Sequence, residues 1–180
     1  MSAQIENHQE QYFIKLTSAL NEEEITFFRK SFLNLHPRDQ ANFFLSLDFE
    51  LRNRLYNYLS PKETSNFYEN MELVEQKEYI SEMDPLYAAD MLASMYVDNA
   101  VDILNELDKQ QIASYLAMMD EEMATDIRQL LHYEEKTAGS IMTTEYVSIE
   151  AHKTVLEAMD ILRYEAPTAE TIYYIFVIDK

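Results

Sequence analysis

A chain of 180 residues with 47% hydrophobic content is sized for one domain, or for one domain with a small piece attached. Its 33 acids against 14 Lys and Arg, a formal net charge of −19, disfavour nucleic acid and anionic lipid as partners and favour cations. The absence of cysteine excludes disulfides and thiolate metal sites, and no apolar run nears the roughly 20 residues of a membrane span.

The polar, acidic residues 1–10 predict no signal peptide, which suits a reducing, cytosolic setting. There is one glycine, Gly139, where average usage would give about a dozen. So few glycines predict an almost wholly helical chain. The first helix is expected over residues 6–20, with Asn21 capping a second helix through Glu24 toward Asn34.

From residue 35 a repeat takes over. Leu35, Leu47, Leu59, Met71, Met83, Met95, Leu107, Met119 and Leu131 recur every twelve residues without a miss. Eight residues after the first eight of these comes another apolar residue: Phe43, Leu55, Phe67, Tyr79, Met91, Ile103, Tyr115 and Ile127. Residues four apart share a helix face, so each unit is expected to carry an apolar ridge over its last two turns. Asp48, Ser60, Asp84, Asp108 and Asp120 open their units with side chains suited to the free N–H groups of a helix start. Ser60-Pro61-Lys62-Glu63 reads as a capping box with proline at the first helical position.

Each unit is therefore a short helix and a tight turn. Pro37, Pro61 and Pro85 lie 24 residues apart, which makes the true repeat a helix pair. Helices so short gain their stability from stacking. The fold expected for residues 1–131 is mainly α, an armadillo- or HEAT-like superhelical solenoid with its first helices as a cap and its methionines as core filler.

After Leu131 the period stops. Gly139 is expected where the backbone takes a positive φ or where another group approaches closely. Residues 145–149 alternate as a strand, and 154–165 form an amphipathic helix with Val155, Ala158, Met159 and Leu162 on one face. Residues 171–178, TIYYIFVI, read as a buried strand. A lone strand-helix-strand piece is not a domain, so further chain or a partner is expected to complete it. The four histidines are scattered, and there is no zinc motif, EF-hand loop, phosphate loop or nucleophile elbow. The chain reads as a binding module and not an enzyme.

The tract Thr137-Ala138-Gly139-Ser140-Ile141-Met142-Thr143-Thr144-Glu145-Tyr146-Val147, with Leu131-His132-Tyr133-Glu134-Glu135 before it, resembles the segment joining two domains in MgtE-type magnesium transporters. Residues 171–179 are similar to the second strand of that family's first CBS domain. Leu35-His36-Pro37-Arg38-Asp39 and Ala88-Ala89-Asp90-Met91-Leu92 resemble its N-terminal helical domain. The resemblance implies an N-terminal helical domain over 1–131, a connecting segment over 132–144 and the start of a partial α/β CBS domain over 145–180. It also implies a CBS pair and a dimeric membrane pore in the rest of the chain, and a place on the cytoplasmic face of the bacterial membrane.

Mg²⁺ is the ion such a region would sense, bridging acidic surfaces to hold a closed state. Asp90 matches an acidic ligand position of the family, and the carbonyls of Gly139 and Ser140 fall where backbone takes part. Where the family often has a pair of acids this chain has Leu86 and Tyr87, and at another acidic position it has Asn66. Asp84 is the neighbouring acid that could compensate, with capping as its other role. Two other readings are a helical-repeat interaction scaffold, like flagellar motor-switch proteins, and a soluble CBS-linked regulator.

Overall fold

The computed structural model describes residues 2–133, 137–139, 142, 146–166 and 172–179, with only the backbone of residues 2–8. Helices α1 (Ser2–Asn21) and α2 (Ile25–Phe32) come first. Then follow α3 (Pro37–Leu45), α4 (Phe49–Tyr58), α5 (Pro61–Tyr68), α6 (Leu73–Ile80), α7 (Pro85–Leu92), α8 (Val97–Asn105), α9 (Lys109–Met118) and α10 (Glu121–Leu131). The second piece comprises β1 (Ser148–Glu150), α11 (Val155–Glu165) and β2 (Phe176–Ile178).

From α3 to α10 every helix begins twelve residues after the one before. The caps explain this regularity. Asp48 accepts from the Leu51 N–H at 2.9 Å, Asp108 from Gln110 and Gln111 at 2.9 Å each, and Asp120 from Glu122 at 3.0 Å. Ser60 and Glu63 form the expected capping box, and Pro37, Pro61 and Pro85 each occupy a first turn. α8 has no side-chain cap of its own; Glu69, just past α5, reaches over to accept the Tyr96 N–H at 3.2 Å.

The repeat leucines and methionines lie mostly in the turns, two residues before each helix start, and not on a ridge within the helices. They are buried along the middle of the array, from Leu47 to Met95. Turning the chain there leaves carbonyls at the helix end and in the turn open to further donors. The fourth residue of the next helix supplies the donor in three units. Gln40 Nε2 donates to the carbonyls of Phe32 and Leu35 at 3.0 and 3.2 Å, and Gln76 Nε2 to those of Tyr68 and Met71 at 2.7 and 3.3 Å. Arg52 donates to the Leu47 carbonyl and makes a two-pronged pair with Glu82, both bonds at 2.7 Å, while its guanidinium carbon lies 4.5 Å from the Tyr79 ring centre.

Helices two apart along the chain pack together: α3 on α5, α5 on α7, α7 on α9, and likewise α6 on α8 and α8 on α10. The helix pair is thus the unit of stacking, and a single core runs from Leu16 to Leu130. α1 closes one end against α2 and α4, and Arg54 donates to the carbonyls of Leu20 and Asn21 at 3.3 Å each.

Asn21 does not cap the second helix. It is the last residue of α1, and the N-cap position of α2 is Glu24, without a side-chain cap bond. The chain reverses through Glu23 at φ 59°, a left-handed conformation that costs a side-chain-bearing residue roughly 1–2 kcal/mol. Glu23→Gly should therefore raise the free energy of unfolding by about 1 kcal/mol; an unchanged or lower urea midpoint would contradict this.

In the second piece β1 and β2 are parallel, with Ser148 opposite Phe176, Ile149 opposite Val177 and Glu150 opposite Ile178. Thr154 caps α11, and the Glu157 carboxylate accepts the Thr154 N–H at 2.8 Å. The expectation of a buried strand over 171–178 is not met. Thr171 lies outside the described residues, only Phe176–Ile178 is strand, and residues 172–178 are all exposed, Tyr173 at 84%. Of the expected strand over 145–149, Glu145 lies outside the described residues and the strand runs from Ser148 to Glu150. Val147 and Ile149 are buried, but α11 buries no residue.

Candidate metal-binding surface

Helix α7 carries two of the four candidate ligands. Its inner side is Ala88, Ala89, Met91 and Leu92, all fully buried; small side chains at 88 and 89 allow close packing with α5 and α9. That packing turns Asp90 outward. Asp90 is exposed, its carbonyl accepts from Ser94 Oγ at 2.8 Å, and among the described residues nothing bonds to its carboxylate.

Asp84 opens α7. Its Oδ1 accepts from the N–H groups of Leu86 and Tyr87 at 3.0 and 3.2 Å, so one carboxylate oxygen is engaged in capping. Asp90 lies six positions after Asp84, with five residues of helix between them, which puts them on different faces.

Gly139 lies in the junction. Its φ is not positive; the close approach is the operative reason for glycine. A Cβ there would run into the ring of Tyr133. The Gly139 carbonyl accepts the Met142 N–H at 3.4 Å and keeps a second lone pair for another partner. Ser140 lies outside the described residues.

The structure thus places Asp84 and Asp90 on one helix and Gly139 in a separate segment. Among the described residues no group of three His, Asp or Glu side chains converges to hold a metal ion. Carboxylate and carbonyl oxygens are the donors a hard divalent ion takes, and Asp84, Asp90 and the Gly139 carbonyl are of that kind.

Of Leu86, Tyr87 and Asn66, the tyrosine has a structural role here. The Tyr87 hydroxyl donates to the Leu59 carbonyl at 3.0 Å and pairs with Thr64 Oγ1 at 2.7 Å, tying α7 to α5. Burial, against the Thr64 bond and with a contribution from Glu63, pushes its pKa up to about 12. Leu86 is exposed, as is Asn66. Sequence reasoning passed over Asp98 and Asp102, one turn apart on α8. Burial, then the Asp98 charge, holds the Asp102 carboxyl above its ordinary range. Two acids four residues apart in a helical unit was the available signal.

Residues 35–136 match the MgtE intracellular N domain. The chain is 51% identical over 173 residues to a magnesium transporter MgtE of Enterococcus faecalis, covering 95% of this chain and 38% of that protein. A shorter stretch of 51 residues is 53% identical to the magnesium transporter MgtE of Thermus thermophilus, 28% of this chain and 11% of that one. Among solved structures, the soluble part of a magnesium transporter superposes with TM-score 0.89 at 51% identity, over 96% of this chain and 68% of that one. The cytosolic domain of the Mg²⁺ channel MgtE in complex with ATP gives TM-score 0.82 at 29% identity, over 93% and 69%. These relatives are described as transporters and a channel, not as enzymes. The chain spans well under half the length of the curated relatives it matches, and among the described residues no helix is long and apolar enough to cross a membrane. The chain belongs to the MgtE family.

Proposed function

We propose that this chain is the Mg²⁺-sensing region of an MgtE-type magnesium transporter, on the cytoplasmic side of the bacterial membrane. Residues 1–131 are its helical N domain, a superhelical solenoid. Residues 132–144 connect it to a first CBS domain that begins at 145, and the rest of the protein supplies the CBS pair and a dimeric pore. Mg²⁺ held between acidic surfaces stabilises the closed state.

The observation that carries this reading is Asp90, turned outward on a helix with no bond to its carboxylate among the described residues, in a chain of net charge −19 belonging to this family. Mg²⁺ keeps several waters and takes only one or two carboxylates with carbonyls, so it suits a site shared between two surfaces better than a cage. A ligand shifts a conformational equilibrium only by its difference in affinity for the two states. Opposed acidic surfaces supply that difference, because the ions are held where the surfaces meet and released where they part.

Asp90→Asn should raise the Mg²⁺ concentration at half-maximal response about fivefold, the equivalent of ~1 kcal/mol, read by calorimetric titration of the cytosolic region. An unchanged midpoint would remove Asp90 from the ligand set.

A further inference from the structure

We propose that the outer face of α9 is an interaction surface for a second copy of this chain, the two α9 helices packing antiparallel across a twofold axis. The stacking of the array shows what this face accepts. In α5, Ser65 and Glu69 reach toward the helix pair that follows. Ser65 Oγ donates to the Ser94 carbonyl at 3.4 Å, and Glu69 accepts the Tyr96 N–H at 3.2 Å. One helix pair later the same row is Ala89 and Ala93 of α7, which packs on α9. The next repetition gives Ala113 and Ala117 of α9 itself. Ala41, Ser65 and Ala89 are buried, whereas Ala113 and Ala117 are exposed. So α9 ends its layer with the face that seats a neighbouring helix in α3, α5 and α7. Terminal repeats of such arrays ordinarily turn a polar face outward. Here a groove is lined by Ile112, Ala113, Leu116 and Ala117, with Lys109 and Arg128 beside them.

The side chains on this face select the occupant. Two α9 helices paired about the midpoint between residues 114 and 115 set Ile112 against Ala117 of the second copy. The same register sets Ala113 against Leu116 of the second copy, so each large side chain meets a small one. At either end Lys109 meets Asp120 of the second copy, and the twofold axis makes this contact twice. One oxygen of Asp120 accepts the Glu122 N–H at 3.0 Å, and the other faces outward chemistry of this kind with its own lone pairs. Arg128 is paired with Glu121 at 3.2 Å, so Lys109 carries the contact. Antiparallel helices also bring each positive N-terminal end beside a negative C-terminal end. Two chains of net charge −19 repel, and a groove bordered by two cations is a place where that repulsion is relieved.

One pair of short helices buries less than the roughly 1,200 Å² at which stable interfaces begin, so the dimer is weak and forms with concentration. Sedimentation velocity should show a monomer at about 10 µM and mostly dimer by about 1 mM. Ala113→Arg, at an exposed position, should stay monomeric at the higher concentration with an unchanged urea midpoint. Lys109→Glu should weaken association about tenfold by facing Asp120 with a like charge. The chain has no cysteine, so Ala113→Cys places one thiol on the interface. A short bismaleimide should join two such copies, and should join Val74→Cys, exposed on α6, only at background. A chain that stays monomeric at the higher concentration, or a dimer indifferent to Ala113→Arg, would overturn the proposal. Neither result touches the Mg²⁺-sensing role, which rests on other residues.

Discussion

Arg52→Ala should lower the free energy of unfolding by about 3–5 kcal/mol, the loss typical of removing one partner from a buried ion pair. The arginine side chain is 11% exposed and its partner Glu82 19%. The guanidinium does three things at once. It holds both carboxylate oxygens of Glu82 at 2.7 Å, donates to the Leu47 carbonyl, and lies over the Tyr79 ring. Truncation leaves a carboxylate and a turn carbonyl without their donor. Arg52→Lys should recover little, because a single ammonium cannot grip two oxygens and stack on a ring together. Urea unfolding followed by circular dichroism measures the change; a loss under about 1 kcal/mol would mean that the pair behaves as a surface contact.

Phe67→Ala should cost about 3–5 kcal/mol, the range for deleting a large aromatic from a close-packed core. Phe67 is fully buried, edge-on to Phe32 with ring centres 5.6 Å apart and 5.4 Å from the Phe44 ring. These rings come from α2, α3 and α5, so the cavity would open between stacked helices. Val74→Ala, on a residue 77% exposed, should change stability by less than about 0.5 kcal/mol. If the two variants unfolded alike, the assignment of Phe67 to the core of the array would fail.

The array was the most legible part of the chain, because one physical rule repeats. The twelve-residue spacing of Leu and Met, read with Asp48, Ser60, Asp84, Asp108 and Asp120, located the helices, and the helix starts obey the same spacing. The spacing did not reveal that Leu35 to Met119 sit in the turns. A residue at the edge of a helix and one just outside it give the same period. The cap from Glu69 to α8 was hidden because it joins residues 27 apart. Asn21 misled because Asn suits both ends of a helix, and the left-handed turn fell instead on Glu23, which has no propensity for it.

In the second piece, the apolar run before Asp179 announces burial, yet burial depends on a covering partner that local composition does not contain. Gly139 showed that a glycine was required but left two reasons open, and Tyr133 decides between them. Of the candidate ligands, Asp90 needed the family resemblance to stand out, since an exposed helical acid carries no local mark.

In the proposed sensing role, Mg²⁺ draws the acidic surfaces of this region together. The direct measurement is small-angle scattering of the region extended through the proposed CBS pair, as Mg²⁺ is raised through the millimolar range. The radius of gyration should fall with Mg²⁺, and the midpoint should move to higher Mg²⁺ in Asp90→Asn. A radius that stays constant across the titration would contradict the sensing role.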